Sequence, residues 1–160
     1  MHVKNHTPVV ICCSASDPTG GAGIQADIAT VLSMGCHPAP IITAVTAQNS
    51  KGLIHFQPVE VGLFIQQMRC ILQENAVAAI KIGMLGSAQI GEALHTLIND
   101  YPDMTVVLDP VFKTSLGQNL CQGPVLEVVQ ALLLNRVNVL TPNAAEARLL
   151  APSADTLGAC

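Results

Sequence analysis

Tryptophan is missing from this chain, and its only aromatic residues are Phe56, Phe64, Tyr101 and Phe112. So few rings exclude the stacking platforms on which single-stranded nucleic acid binds. Charge is equally scarce. Only 11% of the residues are charged, 7 basic against 11 acidic for a net charge of -4, and the basic ones form no run. A nucleic-acid reader needs a clustered positive footprint, so that class of partner is excluded as well. Half the residues are hydrophobic and the mean hydropathy is +0.47, which excludes intrinsic disorder. Long apolar runs are also missing. The longest stretch free of Asp, Glu, Lys and Arg runs from Ile28 to Ser50, and Gly35, His37, Pro38 and Pro40 interrupt it. It cannot serve as a span of ~20 mainly apolar residues, so no membrane partner is expected. Lys4 ahead of Val9-Val10-Ile11-Cys12-Cys13 imitates a signal peptide. Its apolar centre is too short for the ~7–15 residues such a segment requires, and a buried strand explains it better.

What the sequence does contain is a core. Its 160 residues fit one domain. Cysteines 12, 13, 36, 70, 121 and 160 are irregularly spaced with no C-x-x-C pair. Disulfide scaffolds compensate for a missing core, and this chain has apolar residues in plenty, so the cysteines read as reduced thiols of a cytoplasmic protein. Histidines 2, 6, 37, 55 and 95 lack the spacing of a zinc site.

Short, β-branched, apolar runs alternate with segments of helical period. Val9–Cys13, Ala39–Ala44, Ala79–Ile82, Val106–Leu108 and Val137–Leu140 read as parallel strands buried on both faces, and Leu53–Gln57 as a small extra strand. Helices are expected over Ala22–Met34, Val61–Glu74, Ser87–Asn99, Pro124–Leu134 and Asn143–Leu150. Five βα units predict an α/β fold, with a mainly parallel sheet between helical layers. Ligands of such sheets bind beyond the carboxyl ends of the strands. The informative loops should therefore follow Cys13, Ala44, Ile82, Leu108 and Leu140.

Each of those loops carries groups suited to a ligand. After the first strand comes Ser14-Ala15-Ser16-Asp17-Pro18-Thr19-Gly20-Gly21-Ala22-Gly23-Ile24-Gln25-Ala26-Asp27. A glycine-rich turn opening a helix presents free N–H groups to an anionic or polar ligand, or else serves close packing alone. Gly21-x-Gly23-x-x-Ala26 matches a dinucleotide fingerprint formally. It lies too far beyond its strand, and no acid follows Asp27 before Glu60, so it fails in context. Gln48, after the second strand, offers paired hydrogen bonds to the edge of an amino-heterocycle, or satisfies a turn. Gly83-Met84 suits a flat ligand against a thioether, or a tight turn. Asp109 ends the fourth strand, where a carboxylate could hold magnesium or its waters. Asn143 with Glu146 three residues on reads as a capping box opening the last helix.

Taken together, Ser16–Asp27, Ile42–Asn49, Lys81–Leu85, Val107–Val111 and Thr141-Pro142-Asn143-x-x-Glu146-Ala147 resemble a known family in order and spacing. It is the hydroxymethylpyrimidine kinase/phosphomethylpyrimidine kinase family of thiamine biosynthesis, within the ribokinase-like superfamily. The resemblance runs to about Leu150 and implies a three-layer α/β/α fold, of which this chain would form the N-terminal part. It implies an ATP-dependent kinase phosphorylating 4-amino-5-hydroxymethyl-2-methylpyrimidine and its monophosphate. Gln48 falls at the position that reads the pyrimidine edge, and Thr46, Met84 and Val111 at pocket-lining positions. Gly21 and Asp27 fall beside the substrate, while Asp109, Asn143 and Glu146 fall on the nucleotide-phosphate side. Asp109 and Glu146 would hold Mg2+ through water or phosphate. The family's later nucleotide loop and anion-hole turn have no counterpart, and Leu157-Gly158-Ala159-Cys160 echoes that turn only superficially. No catalytic residue is therefore assigned, and little ATP-dependent turnover is expected of residues 1–160 alone. Two further readings are an inactive remnant that binds the pyrimidine and a pyridoxal-type kinase. An uncovered sheet edge is expected to drive self-association.

Overall fold

The structure, a computed structural model, describes residues 7–121 and 123–153. The signal-like Lys4 and the Leu157–Cys160 echo lie outside them.

Six strands form one sheet in the order β3-β2-β1-β4-β5-β6. The strands are β1 (Val9–Ser16), β2 (His37–Asn49), β3 (Gly52–Pro58), β4 (Val77–Ile82), β5 (Thr105–Leu108) and β6 (Val139–Leu140). Helices α1 (Gly23–Ser33), α2 (Val61–Glu74), α3 (Ala88–Asn99), α4 (Val125–Val128) and α5 (Ala144–Leu150) connect or follow them. All pairings are parallel except β2 with β3, which form an antiparallel hairpin. The expected alternation of strands and helices is therefore present, and the extra strand at Leu53–Gln57 is real.

Alternation of side chains across the sheet explains the layers. Ile11, Cys13, Ile80, Ile82, Val106 and Leu108 point to one face, where α2, α3 and α4 cover them with Phe64, Met68, Leu72, Ile90, Leu94, Ile98, Val125 and Val128. Burying side chains of this size yields ~1.5–3 kcal/mol each, so this layer supplies most of the stability. On the opposite face α1 packs against β1 and β2. The ends of α2 and α3 are set by side chains: Glu60 accepts hydrogen bonds from the Gly62 and Leu63 amides, and Ser87 from that of Ile90.

Three expectations need correction. The expected burial on both faces does not hold throughout: β6 is exposed and the α1-side residues of β4 and β5 are only half-buried or exposed, because α1 covers only its neighbours β1 and β2. The loop expected after Ala44 is strand, since Ala44–Asn49 pair with Gly52–Pro58. The helix expected over Pro124–Leu134 begins at Val125, widens into a π segment at Val129–Leu133 and tightens at Leu134–Arg136. Its i→i+5 spacing keeps Val128 and Leu133 on one buried face.

Among the described residues no helix is long and apolar enough to cross a membrane. Cys12, Cys13, Cys36, Cys70 and Cys121 are all free thiols.

Candidate functional site

The sheet ladder continues one residue past three strands and lines up their ends. Gly83 N–H donates to the Cys13 carbonyl, Asp109 N–H to Ile82 and Thr141 N–H to Leu108, at 2.8, 2.8 and 3.0 Å. Over the ends of β1, β2, β4 and β5 lies a cavity of about 530 Å³. It collects Gly21, Asp27, Thr46, Gln48, Met84, Asp109 and Val111 from four separate segments. The expected substrate-side residues thus share one wall-to-wall site. Asn143 and Glu146 are not among its lining residues. They form the capping box of α5: Asn143 Oδ1 accepts from the Ala145 and Glu146 amides, and Glu146 Oε2 from the Asn143 amide.

The glycine-rich turn owes its shape to Asp17. Asp17 Oδ1 accepts from the Thr19 amide at 2.8 Å, while Oδ2 accepts from the Thr19 hydroxyl and the Ala22 amide at 2.9 Å each. Burial opposes ionisation of Asp17, yet these donors, with the Gln48 side chain, hold its carboxyl below the ordinary aspartate value. Gln25 closes the same turn, accepting from the Asp17 amide and donating to Ser16 Oγ. Gly23 is required on two counts. Its φ is +58°, and a Cβ there would lie 2.3 Å from the Ala15 carbonyl oxygen. The turn is therefore a tightly packed helix start that also borders the cavity, so the two readings of this loop coexist.

The other walls are equally fixed. The Thr46 hydroxyl donates to the Ser16 carbonyl at 2.9 Å, so it ties β2 to β1. Buried Thr43 donates to the Met84 carbonyl and holds the β4–α3 loop down. Met84 packs with Ala15, Ala44 and Leu120, flanked by Leu53, Phe56 and Val111. This is an apolar patch beside the polar ends of the strands, the mixed lining that small-molecule sites use.

Sequence reasoning missed four features of the cavity. Asp17 is an organiser of the turn, and its spacing to Thr19 was the available signal for an Asx-type turn. Lys81 carries an ammonium 2.9 Å from Asp27 Oδ1 and 3.6 Å from Asp109 Oδ2. A lone lysine within the apolar Ala79–Ile82 run was its signal, since a charge at a sheet's centre needs partners. Ser14, on β1, lines the floor. Lys113, Thr114 and Ser115 come from a flap closed by the Lys113–Asn119 bridge, and no periodicity announces it. Lys4, Lys51, Lys81 and Lys113 are the only lysines of the chain, and Lys81 and Lys113 both line this cavity.

A mainly parallel sheet with a polar-apolar cavity over its carboxyl ends is the arrangement in which α/β proteins hold small molecules. The sequence model of the phosphomethylpyrimidine kinase family matches residues 17–158, and the chain belongs to that family. It is 38% identical over 141 residues to the hydroxymethylpyrimidine/phosphomethylpyrimidine kinase of Haemophilus influenzae, covering 88% of this chain and 52% of that protein. The phosphomethylpyrimidine kinase of Clostridium difficile superposes with a TM-score of 0.83 at 30% identity, covering 92% of this chain and 63% of that one. The pyridoxal kinase of Staphylococcus aureus, in complex with AMP-PCP and pyridoxal, superposes with a TM-score of 0.79 at 26% identity, over 92% of this chain and 52% of that one. The chain spans about half the length of the curated relatives it matches.

Proposed function

We propose that this chain forms the substrate-binding part of an ATP-dependent kinase acting on 4-amino-5-hydroxymethyl-2-methylpyrimidine and its monophosphate. The observation that carries the reading is the convergence of Gly21, Asp27, Thr46, Gln48, Met84 and Val111 on one cavity. These are the positions at which the family's motifs place substrate contacts, and they come from segments far apart in the chain. Their chemistry suits an aminopyrimidine. Gln48 supplies a donor and an acceptor for a heterocycle edge, and Met84 with Val111 supplies apolar contact for its faces.

The phosphate side falls to Asp109, with Asn143 and Glu146 beyond the neighbouring strand end. Among the described residues no three His, Cys, Asp or Glu side chains stand close enough to cage a metal. Magnesium needs no such cage, because it takes one or two carboxylates and keeps waters or phosphate oxygens. Asp109, whose side chain is 37% exposed at the cavity, fits that requirement. Glu146 would join it only through the oxygen that does not cap α5. Bound there with ATP, magnesium would neutralise charge on the phosphates during transfer. The chain's own residues hold the pyrimidine and exclude water from its faces.

Calorimetric titration of the purified chain with the pyrimidine alcohol, in wild type and Gln48→Ala, tests the reading without requiring turnover. Binding weakened about tenfold or more by Gln48→Ala, as expected for paired hydrogen bonds, supports it. A second reading rests on the likeness to the pyridoxal-bound kinase. Tighter binding of pyridoxal than of the pyrimidine would favour that reading. No binding of either would overturn both. A coupled ATPase assay with the pyrimidine alcohol then measures phosphorylation directly.

A further inference from the structure

The cavity floor holds one ammonium between two carboxylates, and the three side chains run from the interior outward. Asp27 on α1 is 15% exposed, Lys81 on β4 26%, and Asp109 after β5 37%. One oxygen of each carboxylate faces Lys81 Nζ, at 2.9 Å for Asp27 and 3.6 Å for Asp109. The other oxygen of Asp27 is buried without a partner. Two carboxylates converging on one floor repel each other, and only a cation between them makes the arrangement tolerable.

A second observation concerns the room left for that cation. Gly83 does not adopt a left-handed φ, so backbone conformation does not explain the glycine. Space does: a Cβ at Gly83 would lie 2.7 Å from Ser14 Oγ and 3.0 Å from Lys81 Nζ. The glycine two residues beyond Lys81 keeps open the volume its ammonium occupies. The ladder bond from the Gly83 amide to the Cys13 carbonyl fixes that backbone in turn.

We propose that Lys81 is the positioning residue of this site. Seated in the space Gly83 leaves, it clamps Asp27 of α1 to Asp109 just beyond β5. The clamp sets the orientation of both carboxylates toward whatever occupies the cavity. Its effect on substrate rests on the pyrimidine-binding reading above, whereas the clamp itself does not.

The test uses the whole chain as wild type, Lys81→Met, Lys81→Arg and Gly83→Ala, each checked for a cooperative thermal melt. Gly83→Ala keeps every charge but crowds both Ser14 Oγ and the ammonium, so it carries the test if Lys81→Met does not fold, with Ser14→Ala as the control for the serine. Titrated with 4-amino-5-hydroxymethyl-2-methylpyrimidine, Lys81→Met and Gly83→Ala are expected to bind about tenfold more weakly, the scale of coupling between contacting groups. Lys81→Arg should recover most of that loss. A merely structural lysine would lower the melting temperature and leave the affinity of the folded protein unchanged. Wild-type affinity in folded Lys81→Met or Gly83→Ala overturns the proposal. If wild type itself does not bind the pyrimidine, the substrate reading fails, and carbon-13 resonances of the aspartate carboxyl groups decide the clamp. Both Asp27 and Asp109 resonances should move in Lys81→Met and in Gly83→Ala. An unmoved Asp109 resonance would overturn it.

Discussion

The side-chain amide of Gln118 pairs with both backbone groups of Leu53, its Oε1 accepting from the Leu53 amide and its Nε2 donating to the Leu53 carbonyl, each at 2.8 Å. Gln118 in this way imitates a neighbouring strand on the edge of β3. It fastens the flap carrying Lys113, Thr114 and Ser115 to the hairpin that carries Gln48. Closeness here is marked, since a Cβ on Gly52 would lie 2.6 Å from Gln118 Oε1.

Gln118→Ala should therefore free the flap while leaving the main core intact. The pair is solvent-exposed, so the loss in global stability is expected to be about 1 kcal/mol or less. Hydrogen exchange at the Thr114, Gln118 and Leu120 amides, all bonded within the flap or to its base, should accelerate well beyond that of β1 and β4. Equal exchange in wild type and variant would show that Gln118 is not the fastening.

Asp17 makes the acid side of the stability curve readable. Three donors stabilise its ionised form, and its carboxyl lies below the ordinary value in the folded chain. The unfolded chain therefore takes up a proton first as pH falls. The contribution of Asp17 is complete above the unfolded value of about 4 and is lost as pH drops through the lower folded one. Asp17→Ala should cost about 1–3 kcal/mol at pH 7, because the Thr19 amide and hydroxyl and the Ala22 amide lose a charged acceptor. The difference between wild type and variant should shrink in denaturant melts as pH falls below about 4. A gap independent of pH would contradict the ionised role.

How much of this was legible beforehand follows from the physics of each segment. β-branched apolar runs marked β1, β4 and β5 because burial selects those side chains, and the 3.6-residue stripes of α2 and α3 marked their inner faces. The far half of β2 was not legible. Thr46, Gln48 and Asn49 are polar residues in an antiparallel hairpin, where only the pairing with β3, a non-local event, makes them strand. Gly21, Asp27, Thr46 and Val111 were legible only through the family's motifs, whereas Gln48, Met84 and Asp109 also stood out beyond the expected strands. Lys81 went unweighed because its partners Asp27 and Asp109 come from other segments and meet it only across the sheet. The π segment of the fourth helix has no sequence signature beyond the spacing of Val128 and Leu133.

Thiol reactivity should divide the cysteines by depth. Burial pushes the Cys12 thiol up to about 11, reinforced by Asp27 and partly offset by Lys81, and burial alone pushes Cys121 to about 11. Cys13, fully enclosed among the core residues, is raised further for the same reason. Cys70 is exposed. Brief iodoacetamide treatment at pH 7.5 should thus modify Cys70 ahead of Cys12, Cys13 and Cys121, which stay intact until the chain is unfolded. Peptide mass spectrometry reads the order directly. Early labelling of Cys12 or Cys13 would mean that β1 opens far more readily than its place at the sheet's centre allows.

Among the described residues, β6 forms an open edge of the sheet. Val139 and Leu140 pair with Val107 and Leu108 on one side and are 47% and 37% exposed. Beside them, Leu134, Leu140, Ala147 and Leu150 line a shallow apolar groove. Unpaired backbone next to exposed aliphatic side chains is a template for another strand, and natural edges are commonly blunted by lysine or proline. None of the chain's lysines lies on β6 or α5. Sedimentation velocity across a range of concentrations should accordingly show self-association of the chain. Val139→Lys places a charge on the strand without removing its ladder bonds to β5, and should shift the distribution towards monomer. A wild-type monomer at every concentration would mean that this edge is protected, and the association expected from its exposure would be refuted.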